Sequence, residues 1–215
     1  GDNTSPRATA YAPIDEMAER APWDAQKSSG NTNDLRGKIL RIKPQANGTY
    51  TIPEGNLFPK GTDKTRPEIF VMGNRNPFRI SVDRESGFLY WGEVGPDAND
   101  PDSLKGPAGQ DEVNQAKKAG NFGWPYFVGN NKNYNHFDFA VNKSRENFDV
   151  SRPINSSPNN TGLKELPPAQ NAFIWYPYGE SKEFPLVGSG GRNAMAGPVF
   201  HSNRFTTAPH AFPKY

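Results

Sequence analysis

Residues 74–125 hold most of the side chains whose type and spacing could do chemistry. Arg75 and Asn76 stand just before an apolar run that opens at Phe78. At such a strand entry, a planar guanidinium offers a fork of donors suited to carboxylates and other anionic oxygens. The bland alternative is a surface arginine pairing with a carboxylate, with Asn76-Pro77 starting a turn. Gly95-Pro96 follows the run 88–94. Glycine permits a tight turn and close approach, and proline removes a donor, so carbonyl oxygens are left to point outward. Hard cations such as Ca²⁺ accept such oxygens, although an ordinary turn reads the same way. Glu112 sits in Gln110-Asp111-Glu112-Val113-Asn114, a carboxylate for a cation or else a solvated acidic turn. The acidic run 97–102 puts Pro101 at a ligand position and lacks the turn glycine of a helix–loop–helix calcium loop, so it reads as solvated. His136, His201 and His210 lack the spacing of a zinc helix and read as surface residues of loops. The run Gly188-Ser189-Gly190-Gly191-Arg192 lacks phosphate-loop spacing and reads as a turn before a strand at 196–200.

These groups must be carried by strands. Short apolar runs bounded by turn residues predict strands at 37–43, 69–72, 78–83, 88–94, 172–176 and 196–200. Arg84-Glu85-Ser86-Gly87 is a suitable hairpin loop between the third and fourth. Helical periodicity is scarce. One or two turns are expected at 14–20, and 110–118 is ambiguous. Long polar stretches at 1–36, 97–109 and 129–170 separate the strands. Loops of that length in a compact domain carry function or pack as excursions. Gly1-Asp2-Asn3 and Gly92-Glu93-Val94 form a weak internal echo, as if two successive blades ended alike. Short strands, dense turns and long excursions fit a β-propeller, with a β-sandwich as the alternative.

Composition narrows the classes further. The 215 residues include 21 Gly and 21 Pro, which marks a turn-dense chain. Aromatics at 12 % argue against simple disorder. A net charge of +2 with interspersed signs is too balanced for a nucleic-acid footprint. No apolar stretch approaches a membrane span. Cysteine is absent, which excludes disulfides, thiolate nucleophiles and zinc–thiolate sites. The chain opens on Gly1 and its last residues read as the start of another element. It is expected to be a piece of a longer protein, so a missing signal peptide says nothing about export.

Four motifs in order carry a family resemblance: Arg75-Asn76-Pro77, Glu93-Val94-Gly95-Pro96, Asp111-Glu112-Val113-Asn114 and Gly120-Asn121-Phe122-Gly123-Trp124-Pro125. Each is weak alone, but the ordered set resembles the soluble pyrroloquinoline-quinone-dependent sugar dehydrogenases, the glucose/sorbosone dehydrogenase family. The resemblance implies an all-β, six-bladed propeller, of which residues 1–215 would be a partial domain of two to three blades. It implies oxidation of an aldose at C1 to its lactone, with pyrroloquinoline quinone and Ca²⁺ as cofactors. A sugar is the implied substrate, an external acceptor such as a cytochrome the partner, and the periplasm or cell exterior the location. Arg75 and Asn76 would contact the quinone, and Gly95 and Pro96 would give carbonyl oxygens to its calcium. Glu112 and the Phe122 carbonyl would hold a second, structural calcium, with Lys132 and its asparagine neighbours standing where the family has a carboxylate. Asp2 would orient a catalytic histidine lying before residue 1. On that reading Arg75 and Asp2 are the catalytic residues present, and the isolated chain is expected to be inactive. A non-catalytic propeller that binds sugar or protein is the main alternative. A glycoside hydrolase would need Glu93 and Asp2 to flank one bond.

Overall fold

A computed structural model describes residues 11–205. Among these the chain is strands and turns, with only four short 3-10 turns and no α-helix. The strands are β1 (Lys38–Leu40), β2 (Lys43–Pro44), β3 (Tyr50–Thr51), β4 (Ile69–Met72), β5 (Pro77–Val82), β6 (Leu89–Glu93), β7 (Asp111–Ala116), β8 (Gly120–Asn121), β9 (Phe127–Val128), β10 (Lys132–Asn133), β11 (Asn135–Asp138), β12 (Lys143–Asn147) and β13 (Ile174–Tyr176). No helix among the described residues is long and apolar enough to cross a membrane.

The main sheet has four antiparallel strands in the order β5-β6-β7-β13. Its register places Glu93 opposite Glu112, and Trp91 opposite Asn114. Arg79 adopts a left-handed φ of 58° where the β5–β6 register slips between Phe78 and Ile80, so β5 carries a bulge. A second sheet has the order β1-β4-β8, antiparallel then parallel. The pairs β2/β3, β9/β10 and β11/β12 are separate hairpins. A four-stranded antiparallel sheet is the unit that a propeller repeats.

Large rings and branched chains close the space between the two larger sheets. Ile39 and Val71 from the second sheet pack with Leu89, Trp91, Ala116 and Phe122. Trp91 is fully buried and meets Phe122 edge to face, ring centroids 4.6 Å apart. A neighbouring cluster joins Tyr11, Trp124, Val128 and Tyr134. Trp91 and Trp124 therefore serve the core and offer no platform to a sugar.

Several sequence expectations change. The run 37–43 divides into β1 and β2 because the ladder slips between Ile39 and Leu40, and Ile42 faces solvent. The run 110–118 resolves as a strand, since β7 finds partners on both sides. No helix forms at 14–20: the Asp15 carboxylate takes the Met17 N–H, and Glu19 lies at a φ of 64°. Residues 196–200 form no ladder among the described residues. The polar stretch 129–170 contains β10, β11 and β12, short strands that the polar sequence hid.

Candidate functional site

The turn after β4 is built to a tight tolerance. Gly73 has a φ of 79°, and a Cβ there would lie 2.4 Å from Asn121 Oδ1. Asn74 is buried and pinned on three sides. Its N–H donates to the Gly37 carbonyl at 3.2 Å, its Oδ1 accepts from Trp91 Nε1 at 3.1 Å, and its carbonyl accepts from the Ser29 hydroxyl at 2.6 Å. Lys38 braces the same corner by donating to the carbonyls of Ser28, Ser29 and Arg36. Arg75 and Asn76 follow from this fixed point. Both their backbone N–H groups donate to Glu93 Oε1 at 2.5 Å. The Arg75 guanidinium donates through Nη1 to the Val94 carbonyl at 2.6 Å.

At the end of β6 the chain passes through Gly95 and Pro96, both buried. A Cβ on Gly95 would lie 1.8 Å from the Gln110 carbonyl oxygen, so only glycine fits that approach. The Gly95 N–H donates to Asp111 Oδ1 at 3.0 Å. The Pro96 carbonyl accepts twice, from the Ala98 N–H at 2.9 Å and from Arg192 Nη2 at 3.0 Å. Asp111 Oδ2 accepts the Ala194 N–H at 2.8 Å, which ties the segment around Arg192 to the site.

Arg75, Glu93, Gly95, Pro96, Glu112 and Phe122 line one cavity of about 10 Å³, together with Gly73, Gln110, Trp124, Phe127 and Val128. That volume holds a single water or ion. Two buried carboxyls, Glu93 and Glu112, meet here across the β6–β7 ladder. Burial, then the charge of Glu112, pushes Glu93 up to about 8, against the pull of the Asn76 and Arg75 N–H groups. Burial pushes Glu112 up to about 7, although Asn114 Nδ2 and the Gly129 N–H both donate to it. Buried polar atoms without a hydrogen-bond partner gather here: Glu93 Oε2 and Asn114 Oδ1 as acceptors, and Arg192 Nε and Nη1 as donors. Such a group of orphans marks a place for a polar ligand.

The structure thus brings Arg75, Gly95, Pro96, Glu112 and Phe122 to one wall-to-wall cavity. Asn76 is held at its edge through its backbone. Asp2 and His210 lie outside the described residues. His136 is no loop residue: it stands on β11, stacks on Phe148 and pairs with Glu16 Oε2 at 3.0 Å. His201 lies between Asp83 and Glu85. In the acidic loop 97–102, Asp97 accepts the Tyr178 hydroxyl at 2.6 Å. Among the described residues no group of three or more His, Cys, Asp or Glu side chains is placed to hold a metal, so a cation here would draw on main-chain and amide oxygens too.

Sequence reasoning missed three contributors. Glu93 is weighed only as the strand end before Gly95 and as one carboxylate of a glycoside hydrolase pair, yet it anchors Arg75. Asp111 reads as a neighbour of Glu112, yet it holds Gly95. Arg192 reads as part of a turn, but its side chain is 1 % exposed and reaches Pro96. An arginine after a glycine-rich run was the available signal for the last.

The pattern of the family described as Glucose / Sorbosone dehydrogenase matches residues 9–158. The chain is 30 % identical over 159 residues to the HIPL1 protein of Arabidopsis thaliana, covering 67 % of this chain and 18 % of that protein. It is 25 % identical over 175 residues to quinoprotein glucose dehydrogenase B of Acinetobacter calcoaceticus, covering 76 % and 33 %. The solved structure of the soluble aldose sugar dehydrogenase from Escherichia coli, in its apo-form, is 24 % identical over 74 % of this chain and 38 % of that one, with a TM-score of 0.38. The chain spans about a third or less of the curated relatives named here.

Proposed function

The chain belongs to the glucose/sorbosone dehydrogenase family, and from that premise we propose that it is part of a six-bladed propeller that oxidises an aldose at C1 to its lactone. Two to three blades would fall within it. Pyrroloquinoline quinone and Ca²⁺ would be its cofactors, an external acceptor such as a cytochrome would take the electrons, and the protein would work in the periplasm or outside the cell. One observation supports this reading: Arg75, Gly95, Pro96, Glu112 and Phe122 line a single cavity together with Glu93, whose buried Oε2 has no hydrogen-bond partner.

The donor chemistry fits a hard cation. Gly95 and Pro96 would supply main-chain oxygens, and Glu93 and Glu112 carboxyl oxygens, as calcium prefers. The space is far too small for a fused-ring quinone, so the described residues support the cation more directly than the quinone. When bound, the pair would supply a Lewis acid beside a two-electron acceptor. The chain's own part is positioning. Arg75 would oppose negative charge developing on an oxygen next to it, from a backbone fixed by Glu93. Asn76 would help orient the ring. Asp2 would orient a base that takes the C1 hydroxyl proton.

The test is a titration of the chain with pyrroloquinoline quinone and CaCl₂, followed by tryptophan fluorescence. Saturable binding that EDTA abolishes is expected. Arg75→Ala should weaken it by about tenfold or more, equivalent to about 1.4 kcal/mol, with the urea midpoint nearly unchanged. Binding indifferent to both EDTA and Arg75→Ala would overturn the assignment. A second reading, a non-catalytic propeller that binds sugar or protein, is favoured by the Pro96 carbonyl, which two N–H donors already occupy. Sugar-driven dye reduction by a longer protein containing this chain would exclude it.

A further inference from the structure

Arg192 is held as few arginines are. Its side chain is 1 % exposed, and its guanidinium carbon lies 3.8 Å from the centroid of the Tyr178 ring. Nη2 donates to the Pro96 carbonyl at 3.0 Å, and Nη1 is 3.5 Å from Asp111 Oδ1. Nε and Nη1 have no hydrogen-bond partner, so part of the cost of burying this cation is left without a compensating hydrogen bond. A carbonyl oxygen has two lone pairs. At Pro96 both are in use, one by the Ala98 N–H two residues along and one by Arg192.

We propose that Arg192 sets the affinity of this site for a divalent cation, because its guanidinium and the cation compete for the Pro96 carbonyl oxygen. The inference rests on the reading of Gly95 and Pro96 as cation ligands. A metal–oxygen bond needs one of the two lone pairs, and the short-range Ala98 contact is part of the turn itself. Arg192 is the donor that can leave. Two positive charges at one oxygen repel, and the burial of Arg192 and Asp111 leaves little solvent to screen them. The segment that carries Arg192 is open on its N-terminal side: Gly188, Gly190 and Gly191 have open space where a Cβ would lie, and Leu186 is fully exposed. It is tied down by the Gly190 N–H on the Tyr178 carbonyl at 2.8 Å, by the Arg192 contacts, by the Ala194 N–H on Asp111 and by the Ala194 backbone packed against Gly92. Asp111 also holds the Gly95 N–H, so displacement of Arg192 is transmitted to the same carboxylate that fixes the cation's turn. Cation binding and release of residues 188–196 are therefore two sides of one equilibrium.

The experiment uses the full 215-residue chain, CaCl₂ as the probe, isothermal titration calorimetry and hydrogen-exchange mass spectrometry. Arg192→Met keeps an apolar stem on Tyr178 and removes the charge. It should bind calcium about tenfold more tightly than the unsubstituted chain, within the range of ordinary couplings between sites. In the unsubstituted chain, CaCl₂ should raise deuterium uptake across 188–196. Equal or weaker affinity in Arg192→Met, or calcium binding with unchanged exchange at 188–196, overturns the competition and leaves the cation site standing. No calcium binding by either protein overturns both. Should near-ultraviolet dichroism show that Arg192→Met does not fold, the exchange result on the unsubstituted chain decides alone.

Discussion

Replacing Glu93 by glutamine should flatten the pH dependence of stability. In the folded chain burial raises Glu93 from 4.5 to about 8. The folded state therefore holds this proton more tightly than the unfolded state does. Between about pH 4.5 and pH 8 unfolding releases it, and stability falls as pH rises through that window. At about 1.4 kcal/mol per pH unit, the gap corresponds to about 5 kcal/mol as an upper limit. Interaction with Glu112 spreads the titration over both carboxyls, so a loss of about 2–4 kcal/mol from Glu93 itself is expected. Glutamine keeps an oxygen for the Arg75 and Asn76 N–H groups and places an uncharged amide nitrogen where Oε2 lies without a partner. Urea unfolding followed by tryptophan fluorescence at pH 4.5, 6, 7 and 8 measures the effect. The two proteins should agree at pH 4.5. At pH 8 the variant's midpoint should be higher by about 1–2 M, taking a slope of about 2 kcal/mol per molar. A variant that loses as much stability between pH 4.5 and 8 as the unsubstituted chain would refute the argument that burial of Glu93 is costly.

Other outcomes follow from the same contacts. Trp91→Ala removes a fully buried ring and the donor that pins Asn74, so a loss of about 3–5 kcal/mol in urea unfolding is expected; a loss under about 1 kcal/mol would mean the inter-sheet core is elsewhere. Gly95→Ala drives a methyl into the Gln110 carbonyl, so calcium affinity measured by calorimetry should fall more than in a Gly197→Ala control, where a Cβ meets open space. Equal effects at the two positions would remove Gly95 from the site.

Much of this chain was legible in its letters. The run at 69–72 became β4 without change, and the ends of the two strands flanking Arg84–Gly87 shifted by one residue, because short apolar runs bounded by turn residues are what a strand leaves in a sequence. The excursion at 129–170 was not legible: strands such as Lys143-Ser144-Arg145-Glu146-Asn147 expose most of their side chains, so no apolar pattern exists to read. The helix expected at 14–20 failed for a local reason, since an aspartate that captures a nearby backbone N–H offers the chain an alternative to a helical turn.

By itself the sequence determined the class of fold, through turn density, aromatic content and strand periodicity, and it determined which residue types stand in the ordered motifs of a family. Only the tertiary structure decided that Arg75, Glu93, Glu112 and the Gly95-Pro96 turn share one small buried cavity, and that Arg192, 96 residues beyond Pro96, reaches the Pro96 carbonyl at its wall. The reason is physical. Periodicity is a property of neighbours along the chain, whereas a raised carboxyl pKa or a carbonyl with both lone pairs taken depends on which distant segments exclude water from it.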